Sequence, residues 1–286
     1  MNGEDVTLSM PCYNTEDTLP AALNALTRLD PGPSRILCVD DGSTDGTKAV
    51  IEAYETVELI EHEENRGIAG TMNTALSHTE TPLFAKVDAD VVVPPDWLER
   101  ILEAYDESGA AFVQGRFVER KATVADRWRE KYPAPSFRYS PKRNKAINGA
   151  TILAETDALR DIGGYDEQYR RAFDDIDVVE RLVEAGYEVY YSPSVRSTHI
   201  RRDTWWEVLH TEWAYHNDPE TRGKPDDLLD VIRRIPYHSL MSARCLRRDV
   251  LDREFERLGI SILRLPYMIA WDIDHVLSSK RSQPQE

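Results

Sequence analysis

The chain has 286 residues, 41% of them hydrophobic, enough for one large domain, or a domain and a smaller appendage, around a sizeable core. Gly and Pro stand near ordinary levels, which excludes a disordered or fibrous protein. Asp and Glu outnumber Lys and Arg by 51 to 35, a formal net charge of −16, so general nucleic-acid binding is a poor fit, and an acidic surface whose bases are mostly Arg reads as adaptation to high salt.

Val6 to Met10 predicts a first strand, ending in Pro11-Cys12-Tyr13-Asn14. Thr15 or Asp17 can cap the next helix, in which Leu19, Ala22, Leu23 and Leu26 recur at helical spacing. Ile36 to Val39 is a second apolar strand. It runs into Asp40-Asp41-Gly42-Ser43-Thr44-Asp45-Gly46-Thr47, where the glycines allow a tight turn and Asp45 or Ser43 can cap a helix through Tyr54. Val57 to Glu61 is a third strand, followed by Glu64-Asn65-Arg66-Gly67 and a helix carrying Ile68, Met72, Ala75 and Leu76. Pro82 to Val87 is a fourth, buried strand with Asp88 and Asp90 at its end. Pro94-Pro95-Asp96-Trp97 opens a helix with Leu98, Ile101, Leu102 and Tyr105 inward.

Four such alternations predict an α/β fold, a parallel sheet covered by helices on both faces. The polar clusters at Tyr13-Asn14, Asp40-Asp41 and Asp88-Asp90 all follow strands, so their strand ends can line one crevice. One residue between Asp88 and Asp90 lets two carboxylates address one ligand. Their charge is costly unless a cation shares it, and hard oxygen donors suit Mg²⁺ or Mn²⁺, with further ligands from a phosphate. In isolation an Asp-x-Asp reads rather as a helix cap beside a solvated carboxylate; the other strand-end clusters favour the ligand reading here. No G-x-G-x-x-G follows the first strand and no G-x-x-x-x-G-K-[ST] occurs, against a dinucleotide site and a phosphate-loop ATPase.

From Ala110 the alternation loosens. Ala111 to Val118 predicts a strand. Arg116 to Lys145 then holds ten basic residues against Glu119, Asp126 and Glu130, with Trp128, Tyr132, Phe137 and Tyr139 interleaved. It reads as a solvated arm paired to the acidic surface, or as an anion site for a phosphorylated or membrane-bound acceptor. Ile147 to Leu153 is a strand whose Gly149 allows close backbone approach to a ligand. Asp157 to Asp161 is a short helix ended by Gly163-Gly164. Asp174, Asp175 and Asp177 crowd the first turn of the next helix; capping explains one or two of them, and the third is displayed for chemistry. Glu188 to Ser192 and Ser194 to Thr198 are strands ending at His199, a structural histidine or a ligand, and Trp205-Trp206 opens a helix to about His216.

After Asp226, Asp227 and Asp230 come seven arginines from Arg233 to Arg257 among Ile235, Leu240, Met241 and Leu246, then the apolar run Ile260 to Trp271. This is a helical appendage with its arginines paired to Asp249, Asp252, Glu254 and Glu256, or a tail lying on an anionic membrane. Cys12, Cys38 and Cys245 have no metal-ligand spacing and read as buried reduced thiols of a cytosolic protein. Met1 to Asp5 has no leader character, and no stretch approaches the roughly 20 apolar residues that span a bilayer.

Together, Pro11-x-Tyr13-Asn14, Val39-Asp40-Asp41-Gly42-Ser43-x-Asp45-Gly46-Thr47, Asn65-x-Gly67 with Asn73, Asp88-x-Asp90, and Asp174-Asp175-x-Asp177 with Arg181 resemble the family 2 glycosyltransferases of GT-A fold, over residues 5 to 202. The resemblance implies a mostly parallel Rossmann-like sheet flanked by helices over 1–202, with a donor half to about 115 and an acceptor half after it, and a helical appendage over 203–286. It also implies an inverting transferase using a nucleotide-diphosphate sugar, with Mn²⁺ or Mg²⁺ as cofactor. In such a protein Pro11, Tyr13 and Asn14 border base and ribose, Asp40 or Asp41 bonds the base, and Asn65, Gly67 and Asn73 shape that pocket. Asp88 meets the ribose or the metal shell, and Asp90 binds the ion that bridges the diphosphate. Asp175 is the general base, with the Asp-Asp pair leaving Asp174 open. His199 completes the metal site or contacts the diphosphate, and Gly149 lies beside the donor. The acceptor expected is a hydroxyl or a lipid-linked phosphate or glycan, and the location cytoplasmic or on the cytoplasmic face of a membrane. The alternatives are a sugar-nucleotide nucleotidyltransferase, which would want a Gly-rich basic loop where Pro11-Cys12-Tyr13-Asn14 stands, and a non-catalytic nucleotide-sugar binding module.

Overall fold

Strand and helix alternate through the first third of the chain as the hydrophobic pattern predicts. β1 (Val6–Cys12), β2 (Arg35–Asp40), β3 (Val57–Glu61) and β4 (Leu83–Val87) pair in parallel. They alternate with α1 (Leu19–Leu26), α2 (Thr47–Glu52), α3 (Gly67–Ser77) and α4 (Trp97–Ser108). The computed structural model describes residues 1–132, 149–170, 173–217 and 223–281.

Beyond α4 the parallel pattern ends. β6 (Phe112–Glu119) follows a two-residue strand β5 (Val91–Val92), and β7 (Thr151–Glu155) inserts antiparallel between β4 and β6. β8 (Val189–His199) runs parallel to β6 and antiparallel to β5. The eight strands lie in the order β3-β2-β1-β4-β7-β6-β8-β5, a mixed sheet rather than a purely parallel one.

Period-two burial on both faces explains why helices cover both. Val6, Leu8 and Met10 of β1 and Leu83, Ala85 and Val87 of β4 enter a core with α1, α2 and α4. Leu37 and Val39 of β2 and Phe84 of β4 enter the opposite core. Its other wall is α3, α6 (Thr156–Asp161) and α7 (Asp174–Glu184). Such two-sided burial leaves the strands nearly continuous in apolar residues.

Several expectations need correction. Neither Thr15 nor Asp17 caps α1: the N-cap is Thr18, without a side-chain bond, because a turn intervenes in which the Thr15 carbonyl accepts from both Thr18 N at 3.1 Å and Leu19 N at 2.9 Å. Gly46 is the N-cap of α2; Asp45 still accepts from Thr47 N at 3.0 Å. The two strands expected around Ser192 are the single β8, whose register against β6 shifts beside Pro193, a residue that sheets tolerate at bulges. The strand expected from Ile147 begins at Thr151, and Ile147-Asn148 lies outside the described residues.

The chain divides into two compact units, Met1–Arg120 with Ser136–Arg201, and Lys121–Pro135 with Arg202–Glu286. The second has its own core. Trp128 of α5 (Val124–Lys131) packs there with Leu209 and Trp213 of α8 (Trp205–His216), Cys245 of α9 (Leu228–Leu251), and Ile260 and Met268 of α10 (Leu258–Arg281). Asp249, fully buried, accepts from Ser261 Oγ at 2.6 Å and Tyr132 OH at 2.9 Å and pairs with Arg257 at 3.1 Å; a buried charge held by this many donors is tolerated. Lys121, Arg127, Arg129 and Lys131 are ion-paired within this unit, to Glu130, Glu256, Asp203 and Asp252. That part of the basic segment meets carboxylates; Phe137, Tyr139 and the basic residues up to Lys145 lie outside the described residues. All three cysteines are free and buried.

Candidate active site

β2, β1 and β4 are neighbours, so the loops leaving their C-terminal ends meet at one edge of the sheet. Asn14, in the left-handed region at φ 51°, stitches two of these loops. Its N–H donates to Ser43 Oγ at 2.9 Å, and its Oδ1 accepts from Thr44 N at 2.8 Å. Tyr13 beside it is 48% exposed, free to stack on a ligand, and Pro11 lies in β1 opposite Val39.

Asp40 and Asp41 are both buried and both engaged. Asp40 accepts from Ser43 N at 3.1 Å and Ser43 Oγ at 2.5 Å. Asp41 accepts from Arg66 N at 2.9 Å and Gly67 N at 2.8 Å, and meets His62 Nδ1 at 2.7 Å. Asp41 therefore shapes the Asn65-Arg66-Gly67 turn, and Asp40 has more capacity left. Gly67, at φ 85°, has no room for a Cβ, which would lie 2.7 Å from the Arg170 carbonyl oxygen. Asn65 gives its carbonyl to Arg170 at 2.5 Å. Asn73 reaches this turn through Glu167, to which it donates at 3.2 Å and with which Arg66 pairs at 3.1 Å. It clamps Tyr165 in both directions, donating to its carbonyl and accepting from its N–H at 2.8 Å each.

Asp88 and Asp90 diverge. Asp88 Oδ1 pairs with Lys86 Nζ at 2.9 Å. Burial, which favours the neutral acid, raises the Asp88 pKa to about 6 against the pull of Lys86. Asp90 Oδ2 meets His199 Nε2 at 3.0 Å. Burial opposes its charge too, but the His199 bond and charge and the Arg201 charge outweigh this and hold it below the usual carboxylate range. His199 is brought there by pairing with Val91 of β5 on one side and Glu119 of β6 on the other. Its Nδ1 lies 3.0 Å from Glu119 Oε2. Burial lowers the imidazole's pKa, but its bonds to Asp90 and Glu119 raise it to about 9, so Nε2 would have to give up its proton before it could bind a metal ion.

Do these donors fit a divalent ion? Adjacent octahedral ligands at about 2.1 Å from an ion lie about 3.0 Å apart. Asp90 Oδ2 and His199 Nε2 stand at that spacing, with Glu119 orienting the imidazole from behind. Among the described residues no group of three or more His, Cys, Asp or Glu is placed to hold a metal, so the pair fits an ion only with further ligands from phosphate oxygens.

The second acidic cluster is reached through Lys86. This buried lysine donates to the Gly149 carbonyl at 2.8 Å, and the Gly149 N–H donates to Asp175 Oδ2 at 2.8 Å. A Cβ on Gly149 would lie 2.6 Å from the Asp175 Cβ, so glycine is what permits this approach. Asp175 Oδ1 also accepts from Ile176 N at 2.8 Å. Burial raises the Asp175 pKa, with Lys86 and these N–H donors pulling it down. Asp174 is deeper: burial raises it to about 7, with Lys86 opposing and the Asp175 and Asp88 charges adding. Lys86 itself is raised, its own burial outweighed by the Asp88 and Asp174 charges. Asp177 is spent on Arg181, which it meets at 2.5 and 2.9 Å. Of the three aspartates, Asp175 is the one neither sunk in the core nor paired with Arg181.

Lys86, Glu119 and His62 are the residues that motif reading passed over. Lys86 had a signal: a lysine inside an apolar strand is almost never buried unless paired, and period two puts it on the face of Asp88. Glu119 had none, since only the β6–β8 register brings it to His199.

The mixed sheet with its strand-end loops is the GT-A glycosyltransferase fold. The profile of glycosyl transferase family 2 matches residues 7–161, more than half the chain, so the chain belongs to glycosyltransferase family 2. It is 29% identical over 213 residues to the pre-mycofactocin glycosyltransferase of Mycobacterium tuberculosis, a match that covers 69% of this chain and spans only 43% of that relative's length. Among solved structures it resembles S. aureus TarS in complex with UDP-GlcNAc, with a TM-score of 0.57, 18% identity, and 74% and 66% of the two chains covered. It also resembles the mannosyltransferase PcManGT of Pyrobaculum calidifontis in complex with GDP-Man and Mn²⁺, with a TM-score of 0.55, 19% identity, and 98% and 76% covered. At these identities the structures speak for the fold alone.

Proposed function

We propose that the protein is an inverting glycosyltransferase that moves one sugar from a nucleotide-diphosphate sugar to an acceptor hydroxyl, or to a lipid-linked phosphate or glycan, in glycan biosynthesis or protein glycosylation. The observation that carries this reading is the chain of contacts Asp88–Lys86–Gly149–Asp175, which sets a half-buried carboxylate at a fixed place relative to the strand-end loops.

Tyr13 and Asn14, with Pro11, border the base and ribose, and Asp40 bonds the base. Asp41 holds the turn at Asn65 and Gly67 that closes this pocket, and Asn73 supports the segment at Tyr165 behind it. Asp90 and His199, the latter as neutral imidazole, would hold a divalent ion, Mn²⁺ or Mg²⁺, together with phosphate oxygens, and Asp88 would complete or orient that shell. When bound, that ion neutralises charge growing on the departing diphosphate. Asp175 takes the proton of the acceptor hydroxyl as its oxygen bonds to C1 of the sugar, while the bond from C1 to the diphosphate oxygen breaks and its electron pair leaves with the nucleotide. Burial favours this, because a carboxylate with a raised pKa is a stronger base. A single in-line displacement inverts the anomeric carbon.

No helix among the described residues is long and apolar enough to cross a membrane. A lipid-borne acceptor would place the protein's work at the cytoplasmic face of a membrane. The excess of carboxylates is read as adaptation to high salt. The test is incubation with a panel of labelled sugar nucleotides, Mn²⁺ and a lipid extract. Label transferred to an organic-soluble product, with release of nucleoside diphosphate, is expected. Release of pyrophosphate would identify a nucleotidyltransferase, and binding without turnover a binding module.

A further inference from the structure

The outward face of α9 carries charge of the wrong sign for this protein. α4 shows what an ordinary surface helix looks like here: its exposed positions are Glu99, Arg100, Glu103, Asp106 and Glu107, mostly acidic, as the net charge of −16 leads one to expect. On α9 the exposed positions are apolar or arginine. Ile232 is 59% exposed, Leu229 53% and Leu240 50%, and Leu246, Val250 and Leu251 continue the row. At 100° per residue these fall on one half of the helix. Arg233, Arg244 and Arg247 are exposed along the same half, and none makes an ion pair with a described residue. The helix has two acidic residues, and neither reaches this face: Asp230 bonds Arg234 at 3.0 Å, and Asp249 is fully buried.

Ordinary causes of exposed apolar side chains do not account for this. The opposite half of α9 is already packed: Val231, Arg234, His238, Ser242 and Cys245 are buried. Single exposed leucines are common on any protein, but a row along a helix of 24 residues, about 36 Å long, is not scattered. α10 also exposes Ile262, Ile273 and Leu277, but with Asp274 among them and, among the residues whose burial is described, no exposed arginine.

We propose that the outer face of α9 is a docking surface for an anionic phospholipid bilayer. Its leucine, isoleucine and valine side chains enter the headgroup boundary and Arg233, Arg244 and Arg247 sit at the lipid phosphates. Charge complementarity selects this occupant over a second copy of the same face, because a two-fold contact would bring the arginines of both copies together. The proposal names the surface by which the protein reaches a lipid-borne acceptor, and rests on that reading for its setting alone.

The experiment is co-sedimentation of the full chain with vesicles of neutral phospholipid and vesicles rich in anionic phospholipid, at moderate ionic strength. Binding to the anionic vesicles only is expected. Each arginine at an anionic surface contributes about fivefold, so Arg233→Gln, Arg244→Gln and Arg247→Gln together should weaken binding on the order of 100-fold. Ile232→Ser with Leu240→Ser should also weaken it. All five positions are exposed, so circular dichroism and nucleoside diphosphate affinity should stay at the parent's level. Equal binding by parent and both variants, no binding to anionic vesicles, or a concentration-dependent dimer lost in Leu240→Ser would each overturn the proposal. Vesicle binding through α9 with only soluble acceptors glycosylated would retain this surface and remove the lipid acceptor; lipid glycosylation with unimpaired α9 variants would do the reverse.

Discussion

The N–H of Gly149 donates to Asp175 Oδ2 at 2.8 Å, and its carbonyl accepts from Lys86 Nζ at 2.8 Å. One glycine thus connects a lysine beside Asp88 to the carboxylate proposed as the base. A side chain there would press on Asp175, with a Cβ-to-Cβ distance of 2.6 Å. Gly149→Ala is expected to keep nucleotide affinity and to lower turnover by roughly 10-fold or more, the scale of a misplaced acid–base group. Steady-state kinetics beside calorimetric nucleotide titration measures both. Unchanged turnover would mean that the contact has no part in positioning the base.

Asp175→Asn preserves shape and removes the proton acceptor. Donor affinity should stay near normal while turnover falls by at least about 10²-fold, the usual contribution of a positioned base. Asp174→Asn provides the contrast, since Asp174 is buried near Lys86. It should reduce activity much less. The reverse ranking would transfer the role to Asp174.

Asp90→Ala and His199→Ala should each weaken Mn²⁺-dependent binding of a nucleoside diphosphate and leave metal-free binding little changed. Glu119→Gln should have a smaller effect in the same direction, on the order of 10-fold or more, because it removes the carboxylate that orients the imidazole. Isothermal titration with and without Mn²⁺ separates the cases. Equal metal dependence in the parent and Asp90→Ala would remove the metal role.

Asp174 also makes stability depend on pH. Its folded-state pKa is raised to about 7 from an ordinary 3.8, chiefly by burial. A raised carboxyl pKa means that the folded chain binds the proton more tightly than the unfolded one. This contribution is full below about pH 4 and is lost as pH rises through about 7. Asp174→Asn cannot ionise, so its thermal midpoint should fall less than the parent's across that interval. Scanning calorimetry in a buffer series reads the difference, and parallel profiles would show that Asp174 is not the titrating group.

Local sequence determined a good deal. The apolar runs at Leu8, Leu37 and Phe84, the glycine-bearing turns after them and the helical spacing of Leu19 to Leu26 are short-range signals, and they place β1, β2, β4 and α1. Tyr13-Asn14, Asp40-Asp41 and Asp88-Asp90 were legible as strand-end clusters because a parallel sheet puts such ends at one edge. The tertiary structure alone decided how those residues divide the work. Asp40 and Asp41 look equivalent in sequence, yet only Asp41 meets the backbone of Arg66 and Gly67. The turn of β7 to antiparallel, the bulge beside Pro193 and the β6–β8 register that carries Glu119 to His199 depend on pairing between residues about 40 to 80 positions apart. Nothing in a local window encodes such pairing, and the roles of Lys86 and Gly149 follow from it for the same reason.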